Sequence, residues 1–218
     1  MKIKDYKLFA KYNIKDICRK YGIISYDINE DGTVDVYGDV NLCNMRLNEL
    51  PLRFGKVTGF FQCSKNRLVS LNGSPKQVNG FFSCKDNKLK SLEGGPEVVL
   101  EDYFCTDNLL VNFKGFPEDF EGDISIDNNP VYKLLKNVPD DKWVKFIYWC
   151  NEYDAIDDKG NVIPERMEEV YHKIGLEYDL DNKEYKLPWE SLDNKDYKLF
   201  LESVVNNASY REYIHSIC

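Results

Sequence analysis

The stretch Gly59–Pro75 reads GFFQCSKNRLVSLNGSP, and Gly80–Pro96 reads GFFSCKDNKLKSLEGGP. A glycine, two phenylalanines, a cysteine, an asparagine, two leucines and a proline return in fixed register, 21 residues apart. The register extends in both directions. Val36, Val57, Val78, Val99 and Phe120 form one column, and Val40, Phe61, Phe82, Tyr103 and Ile124 a second. Leu42, Cys63, Cys84, Cys105 and Ile126 form a third. Asn66, Asn87, Asn108 and Asn129 share a column that Met45 fills in the first unit. Two further apolar columns follow, Leu47/Leu68/Leu89/Leu110/Val131 and Leu50/Leu71/Leu92/Phe113/Leu134. Gly73, Gly94 and Gly115 each precede a proline by two residues.

Columns of constant type at a period near 21 are the mark of stacked coils that bury a shared wall, here a leucine-rich-repeat-like solenoid. Val57, Gly59, Phe61 and Cys63 alternate with polar or outward residues, which predicts a strand with one buried face in each unit. The asparagine amide suits a turn, bonding backbone groups of its own and neighbouring coils. Gly-x-Pro supplies the return bend. The cysteines share their column with Leu42 and Ile126, so they read as small apolar wall residues. A thiol metal ladder is the competing reading, but no histidine or carboxylate stands in register to complete it.

The units VTGFFQCSKNRLVSLNGSPKQ and VNGFFSCKDNKLKSLEGGPEV resemble those of leucine-rich-repeat-like proteins encoded by bacteriophages and other large DNA viruses. The lead-in INEDGTVDVYGDVNL and the exit NNPVYKLLK with a helical tail are similar too, so the resemblance spans residues 23–175. Glu101 in place of the repeat glycine, Phe113 in place of leucine and the break at Pro130 depart from the pattern. The resemblance implies the fold and a phage setting, and little function.

The predicted architecture is α+β: a short solenoid of about five coils (34–134) between an N-terminal cap (1–33) and a mainly helical C-terminal region (135–218). In the cap, NIKDICRKYG predicts a helix with Asn13 as N-cap, Ile14, Ile17 and Cys18 on one face and Gly22 at its end. ISYDINEDGTVDVYG predicts a hairpin around Glu30–Gly32. Asp27, Asn29, Asp31, Gly32 and Val34 also fit the start of an EF-hand calcium loop, but its twelfth position is Gly38 and a strand pattern follows instead of a helix. In the C-terminal region, VPDDKWVKFIYWCNEYD and PERMEEVYHKIG predict two helices joined by the turn AIDDKGNVI. KLPWESL reads as a linker, and Asp193–Ile217 as further helix. That region is expected to cover the open end of the solenoid.

Composition narrows the function classes. A formal net charge of −8, without a basic cluster, disfavours nucleic acid. Seven cysteines without a C-x-x-C pair, no apolar h-region and no long apolar run predict a cytosolic protein with reduced thiols and no membrane span. His172 and His215 lack partners at metal or triad spacing, and no phosphate-cradling glycine loop is present. Neither enzyme activity nor a cofactor is expected, and the oligomeric state is left open.

What remains is surface. The register turns Tyr37, Asp39 and Asn41 outward in the first unit; then Thr58, Phe60 and Gln62; Asn79, Phe81 and Ser83; Leu100, Asp102 and Phe104; and Glu121, Asp123 and Ser125. Phe60 and Phe81 share a column with Asp39, Asp102 and Asp123. Exposed aromatics among acids and amides resemble a protein-recognition patch. Two alternatives stand beside it: a cap folds over this face, or the rings pair across strands for stability. Trp143 and Trp189 offer a second surface in the C-terminal region, where core packing is the stronger expectation. The expected function is non-enzymatic binding of a protein partner through Tyr37, Asp39, Phe60, Gln62, Phe81, Ser83, Asp102, Phe104 and Asp123. The phage resemblance implies that this partner is a host protein, for instance a defence component. A sponge for a signalling nucleotide and a structural virion component are the alternatives.

Overall fold

A computed structural model describes residues 13–136, 138–179 and 184–186. The 21-residue register becomes hydrogen bonding. Two parallel ladders run the length of the solenoid. The first joins β2 (Val34–Val36), β4 (Phe54–Val57), β6 (Gln77–Val78), β8 (Val98–Val99) and β10 (Asp119–Phe120), with β1 (Tyr26–Ile28) antiparallel on β2. The second joins β3 (Val40–Asn41), β5 (Phe61–Gln62), β7 (Phe82–Ser83), β9 (Tyr103–Phe104) and β11 (Ile124–Ser125). Pairs such as Val57↔Val78 and Phe61↔Phe82 sit one period apart.

Each coil therefore carries two short strands where the alternation predicts one. The corner between the sheets falls at Gly59 and Gly80 in the second and third coils and at Glu101 in the fourth, which forms both strands without a glycine. A Cβ on Gly80 would stand 2.9 Å from the carbonyl carbon of Gly59, so the coils approach too closely there for a side chain. Their own bond, Gly80 N–H to Gly59 O at 3.0 Å, carries the stack round the corner.

After β5, β7, β9 and β11 the chain turns through a residue in the left-handed region: Lys65, Asp86, Asp107 and Asn128, with Asn44 in the first coil. The next residue in four of these coils is the repeat asparagine. Asn87 shows its work. Its Nδ2 donates to the carbonyls of Cys63, Cys84 and Lys85, and its Oδ1 accepts the N–H of Leu68 at 2.9 Å. Asn108 and Asn129 repeat the pattern one coil on each time. Backbone groups that the turn withdraws from water are thus satisfied by one side chain bridging two coils.

Between the sheets and the return limbs lies one continuous core. Val57, Phe61, Cys63, Leu68, Leu71 and their counterparts in the third and fourth coils are buried, in the fifth Phe120, Ile124 and Leu134 are half-buried, and Phe61, Phe82 and Tyr103 stack through the core at 5.0 to 5.7 Å. Cys63, Cys84 and Cys105 are fully buried free thiols in its wall, and burial pushes all three well above the ordinary thiol range. Tyr103 adds a buried hydroxyl to the phenylalanine column.

The N-terminal helix α1 (described over 13–20) buries Cys18 and half-buries Ile14 and Ile17. Asn13 lies within the helical run rather than before it, which corrects its reading as N-cap. The hairpin forms as expected, with Tyr26↔Val36 and Ile28↔Val34 paired and Gly32 at φ +81. Asp31 Oδ1 accepts the N–H and hydroxyl of Thr33, a turn brace in a hairpin rather than a ligand in a helix–loop–helix.

The fifth coil breaks at Pro130 into a 3-10 turn, Pro130–Leu134. A second such turn, Asp140–Lys142, leads into α2 (Trp143–Glu152), and α3 (Pro164–Lys173) follows. Helix α2 and the turn that follows it dock on the fourth return limb, and α3 packs on α2. Phe146 meets Phe113 edge-on at 6.0 Å, Asn151 Nδ2 donates to Phe113 O, and Lys114 pairs with Asp158. The Trp143 indole donates to Val138 O at 2.9 Å and its ring packs on Tyr132, a structural role. A strand pair, β12 (Glu177–Asp179) with β13 (Glu184–Lys186), follows where only helices and a linker were expected. Trp189, His215 and the Asp193–Ile217 helix lie outside the described residues. Among the described residues, no helix is long and apolar enough to cross a membrane.

Candidate functional site: an aromatic ladder on the strand face

The outward column at the start of the second sheet delivers Phe60 and Phe81 to neighbouring coils. Their rings stack at 4.9 Å with an interplanar angle of 11°. Phe104 comes from a different column, that of Gln62 and Ser83, yet it leans across to meet Phe81 edge-on at 5.8 Å. The Lys85 ammonium sits over the Phe104 ring, 4.3 Å from its centre. All three rings are half-buried. The result is a continuous aromatic ridge along the solenoid axis, spanning the second, third and fourth coils and closed at one end by a cation.

The acids of the column do a job that the sequence reading did not assign. Asp39 Oδ1 accepts the backbone N–H of Phe60 at 3.1 Å, and Asp102 Oδ1 that of Asp123 at 3.0 Å. Each carboxylate braces the coil after its own. Asp35 does the same for Lys56 from the first sheet. An acceptor one period upstream of a corner N–H was the available signal.

Other expected site residues divide. Tyr37 is 55% exposed, and its hydroxyl donates to Asp27 Oδ2 at 2.8 Å, which holds the phenol above its usual pKa range. Asp123 is exposed, and Gln62 is half-buried with Oε1 taking the Cys43 thiol at 3.6 Å. Ser83 is the correction: expected outward and accessible, it is only 3% exposed. Its register partner Phe104 leans over towards Phe81, and the Ser83 hydroxyl bonds that of Ser64 at 2.8 Å instead of facing a partner. Of the two alternatives to a recognition patch, pairing of the rings is therefore present. Helix α2 and the turn after it pack instead on Phe113 and Lys114 of the return limb.

A concave feature runs along the Gly-x-Pro bends, a groove of about 610 Å³ floored by Gly73, Gly94 and Gly115. The Lys76–Glu97 ion pair stands on its rim. Ser74, in its lining, has a buried hydroxyl without a hydrogen-bond partner among the described residues. The described residues also place no group of three or more histidine, cysteine, aspartate or glutamate side chains where they could hold a metal ion. No protein-family model, curated protein or solved structure matches this chain.

Proposed function

We propose that this is a non-enzymatic binding protein that docks a protein partner on the strand face of its solenoid. The observation that carries the reading is the half-exposed Phe60–Phe81–Phe104 ladder on a rigid parallel stack. Core packing is already complete behind it in Phe61, Phe82 and Tyr103. Aromatic side chains held in place lose little conformational freedom on binding, which is why they serve as interface anchors. The rim of Tyr37, Asp39, Asp102 and Asp123 supplies polar and charged groups around them. In this proposal the chain is phage-encoded and the partner is a host protein whose process, such as a defence, the binding blunts. That setting rests on the resemblance of the repeat units.

The test is affinity capture from bacterial lysate with the wild-type chain and with the double variant Phe60→Ala/Phe81→Ala, followed by mass spectrometry. Circular dichroism checks that the variant keeps its fold. The double variant is expected to lose the proteins that the wild type holds specifically. Retention of all of them by the folded variant overturns the strand-face reading.

A further inference from the structure

Resting on that reading, we infer that the Asp39 end of the ladder takes a guanidinium group, so the partner docks with an arginine-bearing segment. Phe60 has one face on Phe81. Its other face looks along the axis to the first coil, where the same column holds the short side chain of Asp39 in place of a ring. Coils spaced about 4.8 Å apart leave room there for one more flat group in the stack.

The chemistry of that position is set. The bond from the Phe60 N–H fixes Asp39 Oδ1 beside the ring. Among the described residues, the ion pairs are Arg19–Asp16, Lys76–Glu97 and Lys114–Asp158, so Asp39 is in none of them. A fixed, exposed carboxylate beside an open aromatic face selects a cation. The far end of the same ladder already holds one, Lys85 over Phe104. The overall charge agrees: the whole chain carries −8. Between the two biological cations, the planar guanidinium stacks on a ring while donating to a carboxylate, which an ammonium does less well.

The probes are two fluorescein-labelled octapeptides, one alternating glycine with arginine, the other glycine with citrulline, the uncharged near-isostere. Fluorescence anisotropy measures both against the wild type, Asp39→Asn, and Glu165→Gln as an exposed acid on α3 that lowers the charge equally. Asp39→Asn keeps an oxygen to accept the Phe60 N–H, so its thermal midpoint should match the wild type.

The arginine peptide is expected to bind the wild type at least about tenfold tighter than the citrulline peptide, with Asp39→Asn weakening it about fivefold and Glu165→Gln less than about twofold. Equal binding of the two peptides, no binding of the arginine peptide, or equal loss in Asp39→Asn and Glu165→Gln overturns the guanidinium assignment. Each of these leaves the strand-face reading standing if Phe60→Ala/Phe81→Ala still releases the captured partner. If the double variant releases nothing, that reading fails and this assignment fails with it.

Discussion

Two ladders run along the same solenoid with one residue per coil, and they follow different rules. The asparagine ladder is inside. Every member from Asn66 to Asn129 has its amide engaged by backbone of its own coil and the one before. The phenylalanine ladder is outside, covers two coils of its column, and recruits Phe104 from another. An inward column is constrained by unsatisfied polar groups and by volume, so its residue type is fixed in each closed coil. An outward column needs only to avoid harm, so rings there are a choice that folding did not force.

The sharpest way to break this comparison is the adjacent pair in one coil. Phe82 is fully buried between Phe61 and Tyr103, while Phe81 is half-exposed. Phe82→Ala is expected to cost about 4 kcal/mol of unfolding free energy, and Phe81→Ala about 1 kcal/mol, mainly lost ring–ring contact. Urea denaturation of both variants measures it. Comparable losses would mean that the outer ladder is structural and would remove the reason to look for a partner on it.

Next in size is the inner ladder. Asn87→Ala leaves the carbonyls of Cys63, Cys84 and Lys85 and the N–H of Leu68 without their side-chain partner. Buried groups stranded in this way should cost about 3 kcal/mol in the same denaturation experiment. A loss below about 1 kcal/mol would indicate that water replaces the amide readily and that the ladder is less closed than its geometry.

The smallest effect tests the thiol wall. Burial raises Cys63 and Cys84 well above the ordinary thiol pKa. The folded state keeps them protonated while the unfolded chain ionises. Their contribution is therefore complete below the unfolded thiol pKa of about 8.5 and is lost as pH rises beyond it. The urea midpoint should fall between about pH 8.5 and 10.5 in the wild type and fall less in Cys63→Ala/Cys84→Ala. In the native state near neutral pH, half-buried Cys43 should react with a thiol reagent well before either of them.

Much of this was legible in the chain. Columns of constant type at one period admit few structures other than stacked coils, and the asparagine column announced its turn. The corner was less legible. Val57, Gly59, Phe61 and Cys63 satisfy a single alternating strand equally well, and only the two separate hydrogen-bonded ladders show that the chain bends between them. β12 and β13 escaped because EYD and EYK are only three residues each, and the Asp181-Asn182 between them is a weaker hairpin signal than Asn-Gly or Asp-Gly.

For the candidate site, the sequence by itself determined which side chains leave the core, because inward and outward positions follow from the repeat register. It placed Phe60, Phe81 and Asp39 in one line. Tertiary structure alone decided what they do there. Phe104 joins from another column, Ser83 is buried against Ser64, and Asp39 ends up tied to the Phe60 backbone. The physical reason is that register fixes a side chain's face, whereas its contacts depend on which neighbour in the adjoining coil leans towards it.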